Sequence, residues 1–122
     1  MIRIELPMPP SVNALFRNVP GRGRVKTKRY LTWIQAAGWA VKEQKPGKVA
    51  GPYCLWLYCG KPDKRRRDLA NLEKAVSDLL VTHGIVEDDS LCAELHLYWA
   101  GTGRECVVNV EPAKPIAMAV AA

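Results

Sequence analysis

No run of about 18 apolar residues occurs in the 122-residue chain, so no membrane-spanning helix is expected. Met1 to Leu6 alternates charged and apolar residues and lacks the apolar core of a secretory signal. The expected location is the cytoplasm. Cys54, Cys59, Cys92 and Cys106 form no CxxC pair. Their spacing does not match structural zinc sites, and they read as reduced, buried or half-buried thiols. Only two histidines occur, His83 and His96, with no partner motif around either. Each reads as a satisfied or exposed imidazole. There is no internal repeat and no domain boundary.

Acids are also missing from one long stretch. Between Arg17 and Arg29 lie Arg17, Arg22, Arg24, Lys26, Lys28 and Arg29, with no carboxylate among them. A second basic cluster is Lys61, Lys64, Arg65, Arg66 and Arg67, while acids gather at Glu87, Asp88 and Asp89. The totals are 18 basic and 12 acidic residues, a net charge of +6. That excess is compatible with a polyanionic partner, and the separation of signs points the same way more strongly.

The periodicities predict an α+β single domain in the order strand, helix, strand, helix, strand, strand, with a mixed sheet packed against two helices. Residues 2–6 alternate as a strand. Ser11 to Lys28 carries Pro20, Gly21 and Gly23 without a sustained period and is expected to be a long basic loop. Tyr30, Ile34, Ala37 and Val41 form a helical stripe, so a helix is expected over Tyr30 to Lys45, with Trp33 and Trp39 adding bulk to the core. Pro52–Cys59 is apolar on both faces, as in a central strand covered on both sides.

Leu69, Leu72, Val76, Leu79 and Leu80 mark a second helix, with Asp68 at its N-cap. Two alternating runs around Leu91–Trp99 and Glu105–Val110 are expected to be strands joined by a hairpin turn at Gly101-Thr102-Gly103. Residues 1–111 are expected to form the domain, and 112–122 a flexible tail.

The chemistry concentrates in Lys64-Arg65-Arg66-Arg67-Asp68-Leu69-Ala70-Asn71-Leu72-Glu73-Lys74. Four cations run into a helix start, where free N–H groups and the dipole attract anions. Arginine forks match phosphate oxygens. Positions 70 and 74 share a face that points away from the core, because a spacing of four residues is close to one helical turn of about 3.6. Position 70 is alanine.

If the chain returns beside this helix start, Asp88 or Asp89 faces Asp68. Two or three carboxylates in a basic surround suit a hard cation such as Mg²⁺. Lys74 would then neutralise charge developing on a phosphoryl group or hold an attacking water. Plainer readings stand beside these. Asp68 reads equally as a helix cap, the acidic trio as a solvated turn and Lys74 as a solubility residue.

This set of residues resembles the RusA family of Holliday junction resolvases. The resemblance rests on Pro9-Pro10-Ser11 with Asn13, on Arg65-Arg66-Arg67-Asp68-Leu69, on Asn71-Leu72 with Lys74, and on Gly84 through Asp88-Asp89. It covers residues 2–111. It implies a homodimeric, Mg²⁺-dependent endonuclease (Mn²⁺ serving as an alternative ion) of a bacterial or phage-infected cell. Such an enzyme resolves four-way DNA junctions by paired symmetrical nicks.

The resemblance assigns catalysis to Asp68, Lys74 and Asp89, and the position of Asp88 in the acidic cluster adds it to Asp68 and Asp89 as a candidate metal ligand. DNA contact falls to Arg65, Arg66, Arg67, Asn71, Arg17, Arg22, Arg24, Lys26, Lys28 and Arg29. The family pattern Asp-Leu-Asp-Asn-Leu reads Asp68-Leu69-Ala70-Asn71-Leu72 here. One ligand is missing, so binding with slow or absent cleavage is expected, in an inactivated variant or a natural member that lost cutting. The alternatives are a non-catalytic nucleic-acid-binding module and an RNA-binding basic protein.

Overall fold

Apolar alternation on four strands and two helical stripes has one economical solution, a sheet with helices on one face. A computed structural model of the chain describes residues 1–61, 68–102 and 105–114. Its elements are β1 (Ile2–Pro7), β2 (Phe16–Val19), β3 (Gly23–Lys26), α1 (Lys28–Gln44), β4 (Tyr53–Lys61), α2 (Glu73–Thr82), β5 (Cys92–Thr102) and β6 (Glu105–Pro112). Four strands form a mixed sheet in the order β1-β6-β4-β5, and β2-β3 is a separate two-stranded sheet. The architecture is the expected single-domain α+β fold. No helix among the described residues is long and apolar enough to cross a membrane.

The core follows the strand pleat. Ile4 and Leu6 on β1, Val108 and Val110 on β6, and Tyr53, Leu55, Leu57 and Cys59 on β4 are buried in one cluster. The cluster also takes Tyr30, Trp33, Ala37 and Val41 from α1 and Ala75, Val76, Leu79 and Leu80 from α2. Gln44 closes the free side of β1, because its amide accepts from the Glu5 N–H and donates to the Glu5 carbonyl, both at 2.8 Å. That removes backbone groups an edge strand would otherwise present for pairing. All four cysteines are free thiols.

Several expectations are corrected. The stretch read as a loop contains the β2–β3 hairpin, with Phe16 opposite Lys26 and Val19 opposite Gly23. Pro20-Gly21 makes it: the Arg22 N–H donates to the Val19 carbonyl at 3.0 Å, and Gly21 has φ +77°. Proline followed by a left-handed glycine is type II turn chemistry.

Helix α1 begins at Lys28 because Thr27 caps it, its hydroxyl accepting from the Tyr30 N–H at 3.2 Å. Lys28 and Arg29 therefore lie in the first helical turn, not in a loop. Trp39 is not core: it is 61% exposed, whereas Trp33 is 6% exposed and donates from Nε1 to the Pro7 carbonyl.

The expected β5–β6 hairpin does not form, because β4 lies between them, parallel to β5 and antiparallel to β6. A strand apolar on both faces takes the sheet interior and separates its two successors. Its outer face is not covered by a helix layer. Instead Trp56 stacks on His96 and Tyr58 on Tyr98, with centroids 4.8 and 5.1 Å apart. β6 runs to Pro112 and the Ala113 N–H donates to the Pro52 carbonyl, so the first residues of the expected tail belong to the sheet.

Thr27 also donates its hydroxyl proton to the Ala14 carbonyl at 2.6 Å. One side chain thus caps α1 and pins the entry to the hairpin. We expect Thr27→Ala to cost about 1–2 kcal/mol, read as a lower urea midpoint at unchanged slope, and Thr27→Ser to recover most of it. Equal midpoints for all three chains would contradict this.

Candidate functional site

Asp68 caps the first turn of the segment leading into α2. The turn, Leu69–Leu72, is 3₁₀ rather than α, and the Asp68 carboxylate accepts from the Ala70 N–H at 3.1 Å. The cap was legible as a possibility, and the tighter turn was not. Asp68, Ala70 and Lys74 are exposed and Asn71 is half-buried, as expected for a face turned away from the core.

After α2, Gly84 adopts φ +68°. Ile85 and Val86 then return as buried residues, with Val86 bridging to Val49. That reversal brings Asp89 back to the front of α2, where its Oδ2 lies 3.8 Å from the Lys74 Nζ.

The acidic trio divides its tasks. Glu87 accepts from the Gly51 N–H at 2.7 Å and so anchors a loop. Asp88 accepts from the Ser90 hydroxyl, and that bond holds its carboxyl below the usual range. Asp89 faces Lys74.

Lys74 also donates to Asp78 one turn on, at 3.0 Å. This bond comes first among the influences that push the Lys74 ammonium pKa upward, so Lys74 is a cation at neutral pH. The pair is half-exposed, and such i,i+4 pairs contribute only about 0.5 kcal/mol or less to stability. Asp78 was not among the residues singled out from the sequence, although its Lys-x-x-x-Asp spacing was there to be read.

A cavity of about 490 Å³ opens beside these groups. Asp78, Asp88 and Asp89 line it together with Lys26 from the hairpin, and Phe16, Tyr30 and Trp33 form an aromatic wall. Burial first, and the Asp78 carboxylate second, push the Tyr30 phenol up, with Lys74 opposing. Arg24 covers the Phe16 ring, its guanidinium carbon 4.0 Å from the centroid.

Arg17, Arg22, Arg24, Lys26, Lys28 and Arg29 are all exposed on the hairpin and the first turn of α1. The hairpin thus carries most of the first basic cluster and brings Lys26 to the acids. Arg65, Arg66 and Arg67, expected to contact phosphate, lie outside the described residues.

The structure therefore brings together Lys74, Asp89, Asp88 and Lys26. Among the described residues no hydrogen bond or ion pair joins Asp68 to Lys74, Asp88 or Asp89. Nor does any group of three His, Cys, Asp or Glu side chains stand ready to hold a metal ion. The methyl of Ala70 stands where the resemblance calls for a carboxylate.

Comparison with known proteins gives a consistent picture. The family model described as endodeoxyribonuclease RusA matches residues 7–111. The chain is 36% identical over 87 residues to the crossover junction endodeoxyribonuclease RusA of Escherichia coli strain K12, covering 71% of this chain and 72% of that protein. Its counterpart from Enterobacteria phage 82 is 35% identical over 96 residues, with the same coverage. The one from Escherichia coli O139:H28 is 34% identical over 91 residues, covering 75% of this chain and 76% of the other.

Proposed function

The chain belongs to the RusA endodeoxyribonuclease family, and from that membership we propose that it is a homodimeric four-way-junction nuclease scaffold that binds branched DNA with cleavage impaired at position 70. The observation that carries this reading is the meeting of Lys74 and Asp89 at 3.8 Å beside a cavity shared by Asp88 and the hairpin's Lys26.

The chain's own groups divide the work. Arg17, Arg22, Arg24 and Lys26 neutralise phosphates along the DNA arms and release counterions. Lys28 and Arg29 put charge at the N-terminus of α1, where free N–H groups add to the attraction for phosphate. Asn71 and the arginine run Arg65–Arg67 grip the strand nearest the site. Lys74 keeps its proton and neutralises charge developing on the phosphoryl oxygens. A two-fold dimer addresses the two symmetry-related strands of a junction, one site to each.

In a complete site Asp68, Asp89 and a carboxylate at position 70, with Asp88 beside them, would hold a Mg²⁺ (or Mn²⁺) ion, which would supply Lewis-acid chemistry for phosphodiester hydrolysis. With alanine there, donors are too few for an ion that tolerates irregular coordination poorly.

The test of the scaffold is binding. A labelled four-way junction, challenged with linear duplex of equal length and with RNA, is expected to stay bound at DNA excess and to be lost as salt rises. Displacement by RNA in preference to the junction would favour an RNA-binding protein and defeat the proposal. Arg22→Ala with Lys26→Ala is expected to weaken junction binding about tenfold at moderate salt and to flatten the dependence of log Kd on log salt by about two contacts. An unchanged slope would remove the hairpin from the interface.

A further inference from the structure

The ammonium group of Lys74 has three N–H donors on a four-carbon stem with many rotamers. Asp89 at 3.8 Å is too distant to fix it by a hydrogen bond. Asp78, one helical turn on, is close enough at 3.0 Å. The Asp78 carboxylate is only 35% exposed and lines the cavity with Asp88 and Asp89, and its neighbours there are the buried Tyr30 and Trp33.

As an exposed surface pair this contact contributes little to stability. Its effect is on direction: the ammonium is drawn toward two carboxylates that line the cavity, one proton going to Asp78 and another facing Asp89. At least one donor is left for an incoming phosphate oxygen. A lysine without that tether would spread its charge over several rotamers, and the pull on a phosphoryl group would fall with it.

We propose that Asp78 is a positioning residue for the nuclease reaction, holding Lys74 in the one orientation in which its ammonium faces both Asp89 and the bound phosphodiester. This rests on the reading of Lys74 given under the proposed function. Asp78 itself touches neither DNA nor reacting atoms.

Two measurements decide it. In a chain carrying Ala70→Asp, further change of Asp78→Asn is expected to lower kcat for junction cleavage about tenfold or more. Junction Kd and melting temperature should stay near the parent values, and Asp78→Glu should restore most of the rate. A merely structural role would move melting temperature and Kd with the rate and would show no rescue by glutamate.

The second measurement needs no cleavage. In the chain as it stands, the Lys74 ammonium is expected to give a resolved proton–nitrogen NMR signal coupled across the hydrogen bond to the Asp78 carboxylate carbon. Asp78→Asn should abolish that coupling and Asp88→Asn should keep it. If the Ala70→Asp chain does not cut, the nuclease reading fails by itself and the NMR coupling alone decides whether Asp78 orients Lys74. Absence of the coupling overturns the proposal, as does a kcat indifferent to Asp78→Asn.

Discussion

Ala70→Asp is expected to raise Mg²⁺-dependent cleavage of a four-way junction by about a hundredfold or more, since losing a ligand from an open metal site removes charge and geometry together. The physical ground is local. Position 70 lies in the tight turn capped by Asp68, is exposed and has only a methyl group to offer. A carboxylate there adds an oxygen donor on the segment that carries Asp68, with Lys74 already beside Asp89.

The substitution replaces an exposed residue, so it should fold as the parent does. Its N–H remains available to the Asp68 carboxylate, and Asp costs no more than about 0.7 kcal/mol against Ala in helical propensity. The assay compares both chains on the same labelled junction with Mg²⁺, with and without chelator. Equal rates in the two would remove position 70 from the machinery. Silence from both, with junction binding intact, would favour a binding module without catalysis.

The largest effect on stability is expected at β4. Leu57→Ala should cost about 3 kcal/mol or more, the usual range for emptying a well-packed leucine site. Leu57 is fully buried, lies opposite Leu97 on β5 and Val108 on β6 and belongs to the cluster that both helices join. Neighbours fixed on two ladders have little freedom to collapse into the void. Urea unfolding followed by tryptophan fluorescence should show the midpoint fall with the slope kept. Leu31→Ala, on an exposed leucine of α1, serves as the comparison and should change little. A cost at Leu57 no greater than at Leu31 would mean that β4 does not organise the core.

What the sequence discloses about this fold follows from the range of the forces involved. Local patterns were legible: the central strand at Pro52–Cys59, the apolar stripe of α2 and the cap at Asp68 all depend on residues a few positions apart. The hairpin at Phe16–Lys26 was not legible as one: Pro20-Gly21 carries a turn signal, but basic side chains on both strands hide the alternation, and the stretch reads as a loop. The separation of β5 and β6 by β4 was not legible. Strand order is decided by which strand can bury both faces, a comparison across the whole chain.

The exposure of Trp39 follows from the helical period, which sets it roughly opposite the stripe of Tyr30, Ala37 and Val41, whereas Trp33 lies beside that stripe; reading Trp39 as core gives its bulk more weight than its place on the helix. At the candidate site, the residues named from the resemblance come from two segments, and the meeting of Lys74 with Asp89 depends on the reversal at Gly84. The role of Asp78 was hidden because an i,i+4 acid behind a lysine looks like ordinary surface solubility.

The β2–β3 ribbon shares no ladder with the four-stranded sheet and is tied to the body through buried Leu15, the Thr27 bonds and the edge-on contact of Phe16 with Tyr30. Its tip at Pro20–Gly23 can therefore be lengthened, shortened or recharged without unsettling the hydrophobic interior. If the hairpin grips DNA as proposed, its reach and tightness of grip become adjustable independently of the residues around Lys74. A chimera carrying a longer ribbon should melt with its parent while its footprint on a branched substrate grows.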